Sequence, residues 1–417
     1  MIDLGVVTDP SPRAPSRPWL PRPRAAFPAT LLACALLWGS VAGHGEPRFD
    51  PPVRVRVEAG ADFRLAPDGL YVTGANRADL AAYSVITGQR RWTASGPPVA
   101  GYNITPAGGL VLVLVPSPKM RTLALDARTG EVRWRRDGAA IWVSPRSDRA
   151  VIGNEAVVTD TSAAQPRISI VDLRTGAELA TEPIHLRLSG QPTVVAEIGP
   201  DGERVAGIRI AALPDEPQWL DFASGRRHAL PLADTTEGYF LAGDLLVGYR
   251  ASEIRAYDRS GTRLRWVLPD ARGAGSLMCG PWLCALIDDE LAAVDPASGR
   301  VRWHSPWRFM IGLGERTLAV RSGPEANGMA VVDGATGRVI RELPQWRPLP
   351  ATGYRTRFPV LVPQRPGVFQ VAVLDLDRLV AYPLGAYSGD TGVCQSVPGY
   401  VACPSGPDEI TVWHYGS

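Results

Sequence analysis

Lysine is almost missing from this chain: among 44 basic residues in 417 positions, Lys119 is the sole lysine and the remainder are arginines. A bias of that kind, spread over the whole length, usually reflects genome base composition rather than a site. The formal net charge is only +2, and no run of five or more like charges occurs. Both facts argue against a nucleic-acid-binding protein. Histidine is scarce as well. His44, His185, His228, His304 and His414 are scattered without metal-ligand spacing, and each reads as a surface or packing residue. There is no Gly-rich phosphate loop leading from a strand into a helix and no Gly-x-Ser-x-Gly. The densest acidic cluster, Asp288-Asp289-Glu290, falls at a turn between strands. It reads as a solvated turn, with a weak calcium site as the alternative. Long stretches of helical periodicity are missing after Gly43.

Strand-like runs recur instead, such as Leu110–Val115, Leu245–Tyr249 and Phe369–Leu374. Several lead into a turn of the form Asp/Ser-x-x-Thr/Ser-Gly and then into a second extended stretch. The copies are Ser84 to Gly88, Asp126 to Gly130, Asp172 to Gly176, Asp221 to Gly225, the shorter Asp258 to Gly261, Asp295 to Gly299 and Asp333 to Gly337. Asp375 to Arg378 looks like an eighth, shortened turn. The period of about 37 to 49 residues is that of a propeller blade. Each Asp is suited to cap backbone N–H groups two or so residues on, and the closing Gly tolerates positive φ. Trp92, Trp134, Trp266 and Trp303 follow their turn glycines by four or five residues, which places their rings between neighbouring blades.

At these residues the chain resembles the pyrroloquinoline-quinone-like repeat family of β-propellers, from roughly Pro52 to the C-terminus. It departs from the pattern at Ser84, where Asp is expected, and after Gly176, Gly225 and Gly337, where the Trp is lost. The expected fold is all-β: a propeller of eight four-stranded blades, with one repeat degenerate. Counting outer strands strictly gives nine candidates. Val53–Glu58, which alternates apolar and charged residues, is the obvious outer strand for a final blade ending in Glu409–His414, so that pairing of the chain ends closes the ring.

Residues 1–24 form a Pro-rich tail carrying Arg13, Arg17, Arg22 and Arg24, and residues 25–43 are free of charge. Nineteen residues of helix rise roughly 28 Å, marginally enough for a bilayer core. The arginines precede the segment, so the expectation is a single-pass plasma-membrane anchor with the tail in the cytoplasm, a linker at 44–51 and the propeller at 52–417 outside. Ser40-Val41-Ala42 equally suits signal cleavage after Ala42, which would release the propeller. Leu31 to Cys34 loosely resembles a lipobox. All three routes export the propeller. The other cysteines form two local pairs, Cys279 with Cys284 and Cys394 with Cys403, each symmetric about a turn dipeptide, Pro281-Trp282 and Pro398-Gly399. If these are two-residue hairpin loops, both pairs occupy cross-strand positions whose spacing admits a disulfide.

The resemblance implies two kinds of activity. Quinone-dependent dehydrogenases of this family bind a calcium-held cofactor and, in the alcohol enzymes, stack it on a disulfide between adjacent cysteines; no adjacent pair occurs here. Other members are non-catalytic and include a scaffold in outer-membrane protein assembly. The expectation is therefore a non-catalytic binding module for a protein or cell-envelope partner, without cofactor or metal. A dehydrogenase-like enzyme and a glycan- or cell-wall-binding propeller are the alternatives. Ser117 to Arg121, Thr159 to Arg167 and Ala212 to Gln218 are candidate partner-binding loops.

Overall fold

The computed structural model describes residues 2–3 and 49–416, apart from the segments 76–78, 96–103, 117–119, 145–147, 155–164, 185–193, 200–201, 211–217, 231–237, 250–251, 289, 308, 312–315, 321–327, 350–355 and 390–392. No α-helix occurs among the described residues. The strands group into antiparallel meanders, here called strands A to D from the innermost outward. Nine blades result: 62–95, 104–137, 139–183, 194–229, 238–269, 271–305, 309–344, 347–387, and a ninth built from 395–414 with Val53–Arg56 as its strand D. Nine, not eight, is the count. None of the repeats is degenerate: the shortened turn at Asp375 still joins strands C and D of a full eighth blade, and the blade around Asp221 keeps all four strands.

Burial follows position in the blade. Strand B of blade 2, Leu110–Val115, is apolar on both sides because each side meets a neighbouring blade, and five of its six residues are buried. Strand D, Val132–Asp137, exposes Arg133 and Arg135 and buries Trp134 alone. Between the two lies the repeat turn. Asp126 Oδ1 accepts from the N–H groups of Arg128 and Thr129 at 2.9 and 3.0 Å, and Gly130 N–H donates to Asp126 O at 2.8 Å. The register then shifts between Val132 and Trp134, a bulge that aims the indole at the next blade.

Apolar clusters fill every interface round the ring, from blades 1 and 2 to blades 8 and 9, and a further cluster joins blade 9 to blade 1. Closure is as the chain ends suggest: Val53 pairs with Val412 and Arg56 with Glu409. The Gln395 side chain adds a clamp, donating to Phe63 O at 2.7 Å and accepting from Leu65 N–H at 2.9 Å. At one point the ring is tighter. The A strands of blades 4 and 5 pair directly and in parallel, Val195 with Tyr239 through Glu197 with Leu241, which makes one eight-stranded sheet of two blades. Ile2–Asp3 adds a short strand to the outer edge of blade 8, opposite Val380 and Ala381.

Candidate functional site

An antiparallel meander sends its A–B and C–D connections to one end and its B–C and D–A connections to the other. The parallel pairing of two A strands shows that neighbouring blades run in the same direction. All repeat turns therefore lie on one face of the disc, and most of the longer connections lie on the opposite face.

On the turn face each carboxylate is used up locally. Asp172, Asp221 and Asp333 accept from two backbone N–H groups each, as Asp126 does, and Asp295 accepts from Ala297 N–H. Asp258 serves its shorter turn through Thr262 and Arg263, and Asp375 caps Asp377 and Arg378. Ser84 makes the same cap with a neutral hydroxyl, accepting from Ile86 at 3.3 Å and Thr87 at 3.1 Å. Arg133 bonded to the Asp126 carboxylate, with the backbone N–H donors, holds that carboxyl at about 2. Hydrogen bonds from Thr175, Ser260, Arg302 and Thr336 lower Asp172, Asp258, Asp295 and Asp333 in the same sense. Such carboxylates are committed to the turns and are poor proton acceptors for chemistry.

The turn glycines, Gly130, Gly176, Gly225, Gly261, Gly299 and Gly337, all have positive φ. Four of them also touch the preceding blade. A Cβ on Gly130 would sit 2.7 Å from the Trp92 ring, and Gly176, Gly299 and Gly337 meet Trp134, Trp266 and Trp303 in the same way. Three of those indoles donate to the carbonyl after the turn Asp: Trp92 to Ala127 at 3.0 Å, Trp134 to Leu173 at 2.8 Å and Trp266 to Pro296 at 2.8 Å. Trp303 Nε1 finds no acceptor among the described residues, while Trp282 donates to Ala335 O of the same turn at 2.8 Å. At two of the three places where the Trp is lost, arginine does the work. Arg149 donates to Phe222 O, and Arg316 to Leu376 O at 2.9 Å; each is the first residue of its strand B. Sequence reading missed these two because an arginine at a strand start carries no pattern of its own.

On the opposite face a cleft of about 420 Å³ opens at the seam between blades 9 and 1. Val57, Val393 and Pro407 supply apolar wall, and Asp62, Arg64, Gln395 and Glu409 supply polar groups. Cys394 belongs to its lining and is joined to Cys403, one step beyond the Gln395–Ala402 pair of the hairpin, with Cα atoms 4.3 Å apart. The second disulfide, Cys279–Cys284, departs from the expected geometry. Its hairpin turns at Gly280-Pro281, not Pro281-Trp282, so Cys279 faces Trp282 and the bridge runs diagonally to Cys284 over a Cα separation of 5.3 Å.

No cluster of three or more metal-capable side chains occurs among the described residues. His228 stacks on Trp219, while His414 stacks on Tyr400 and bonds Asp50 at 2.9 Å. His44, His185, Asp289, residues 4–48 and most of the three candidate loops lie outside the described residues. Among the residues described, no helix is long and apolar enough to cross a membrane.

No curated protein matches this chain. Solved structures do. A crystal structure of a eukaryotic initiation factor aligns over 88% of this chain and 94% of its own at 10% identity, with a TM-score of 0.54. BamB from Moraxella catarrhalis aligns over 88% and 100% at 14% identity and a TM-score of 0.42. A europium-containing methanol dehydrogenase aligns over 88% and 93% at 12% identity and 0.39. The first likeness bears on fold alone. A family model, PQQ_2, matches residues 35–268, more than half of the chain. On that match the chain belongs to the PQQ-type propeller family described as outer membrane protein assembly factor BamB.

Proposed function

We propose that this protein is an exported, non-catalytic propeller that holds a protein partner in the cell envelope, as the family description suggests. The observation that carries the reading is the way the carboxylates and donors of the repeats are spent. Seven aspartates cap turns, and tryptophans and arginines bind one blade to the next. The result is a rigid ring with a concavity at its seam. Export is supported by two disulfides within hairpins, which persist in oxidising compartments. The charge-free segment 25–43 is the device proposed for it, as retained anchor or cleaved signal. Each export route takes Ile2–Asp3 away from Val380–Ala381, so the edge of blade 8 is open in the exported protein.

Cross-linking of the full chain in intact cells, followed by affinity purification, is expected to yield one envelope protein joined through residues of the seam-cleft face. Purified protein incubated with the quinone and calcium is expected to oxidise neither alcohols nor sugars in a dye-linked assay. Turnover there, or no partner in the cross-linked material, would overturn the proposal.

A further inference from the structure

The first repeat turn differs from the others in chemistry but not in shape. Ser84 replaces the aspartate, so Ser84 to Gln89 carries no charge, whereas each of the other described turns contains an aspartate. Its tip is Ile86, 70% exposed, more than any other large hydrophobic side chain among the described residues. The equivalent positions two residues after the turn Asp are Arg128, Arg174, Ala223, Ala297 and Ala335. Beyond the turn comes Arg90, exposed, while the guanidinium of Arg91 lies over Gly69 and beside Tyr71 of the same blade.

Its location is equally particular. The chain enters the propeller on this face: Phe49 packs edge-on against Tyr382 of blade 8, with ring centroids 5.9 Å apart, and Asp50 bonds His414 at the end of strand C of blade 9. Val53 and Arg54 then run against the first turn, where a Cβ on Gly88 would meet Val53 Cγ1 at 2.8 Å. Only residues 44–48 separate Phe49 from the end of the charge-free segment. Five residues span at most about 18 Å. A segment 25–43 embedded in a bilayer therefore holds the turn face toward the lipid, with Ile86 beside the point of attachment.

We propose that the Ser84–Arg90 turn is a membrane-contacting tip: Ile86 enters the interfacial layer of the bilayer, and Arg90 meets the phosphate groups of anionic phospholipids. The inference rests on the reading of residues 25–43 as a membrane segment. An apolar side chain buried at the headgroup boundary with arginine alongside is the arrangement by which peripheral segments hold to lipid.

The test uses the full chain carrying Cys34→Ser and Ile86→Cys, the remaining cysteines being disulfide-bonded, with an environment-sensitive fluorophore at position 86. It is reconstituted into vesicles of phosphatidylglycerol and phosphatidylcholine, and vesicles are also added to the chain in solution, so that processing near Ala42 does not remove the readout. The probe is expected to shift to the blue and to be quenched severalfold more by shallow nitroxide lipids than the same probe at Ala297, across the ring. Arg90→Glu is expected to weaken that quenching with the circular dichroism unchanged. A probe at position 86 as water-exposed as one at 297, or two probes equally quenched, would overturn the inference. Partner capture is a separate readout: it survives loss of lipid contact, and its failure leaves the lipid result standing.

Discussion

Gly130 answers two demands at once, a positive φ of 76° and the face of Trp92 where a Cβ would lie. Gly109, at φ 77°, has nothing within 4 Å of its would-be Cβ. Gly109→Ala is expected to cost about 1–2 kcal/mol from backbone conformation alone. Gly130→Ala should cost a further 1–3 kcal/mol, roughly, because the ring or turn must shift. Urea denaturation of the two variants isolates the inter-blade contact, and equal losses would show that Trp92 yields freely. The turn carboxylates set an acid limit. Their folded values lie below the ordinary 3.8, so they stabilise the fold fully above about pH 4. The contribution fades as pH falls toward the folded value, about 2 for Asp126. The urea midpoint should drop between pH 4 and 2, and Asp126→Asn should flatten that drop.

At the scale of the blade, the two disulfides close loops of different size, with sequence separations of 5 and 9. Chain-entropy estimates give about 2 kcal/mol for the shorter and closer to 3 for the longer. Cys394 and Cys403 also pack in the cluster that joins blades 8 and 9, so replacing both with Ser should lower the melting temperature more than the same change at Cys279 and Cys284. Differential scanning calorimetry of both double variants decides this, and equal shifts would separate the bridge from ring closure. The blade was the part most legible in the sequence. Asp-x-x-Thr-Gly fixes a turn through bonds between residues a few places apart, and Trp four residues later is a conspicuous marker. What joins one blade to the next was less legible. Arg149 and Arg316 replace tryptophan from strand B, 73 and 60 residues from the carbonyls they bind. The same distance concealed the number of blades, because a repeat lacking its tryptophan looks degenerate in a sequence and is whole in the ring. The seam cleft was not foreseen either, since its walls come from both ends of the chain.

In the whole molecule the ring depends on four residues near the N-terminus. Val53–Arg56 covers the outer edge of Glu409–His414 and brings Val55 into the core between blades 9 and 1. Deleting residues 49–57 should leave that edge bare, open the seam and produce association between copies, read as earlier elution in size exclusion with retained β-sheet circular dichroism. A monomer with an unchanged melting temperature would show that the other blades suffice.

The closing strand also sets an order of events in time. Asp50 and His414 touch across a separation of 364 residues, so the first strand of the ring to be synthesised must wait, unpaired, for the last. Contacts that distant slow folding, because the loop must be closed before any of them forms. During synthesis the nascent propeller is therefore an open arc with two adhesive ends. How long it stays open depends on how quickly the C-terminus arrives, a hazard of the unfinished chain rather than of the finished protein.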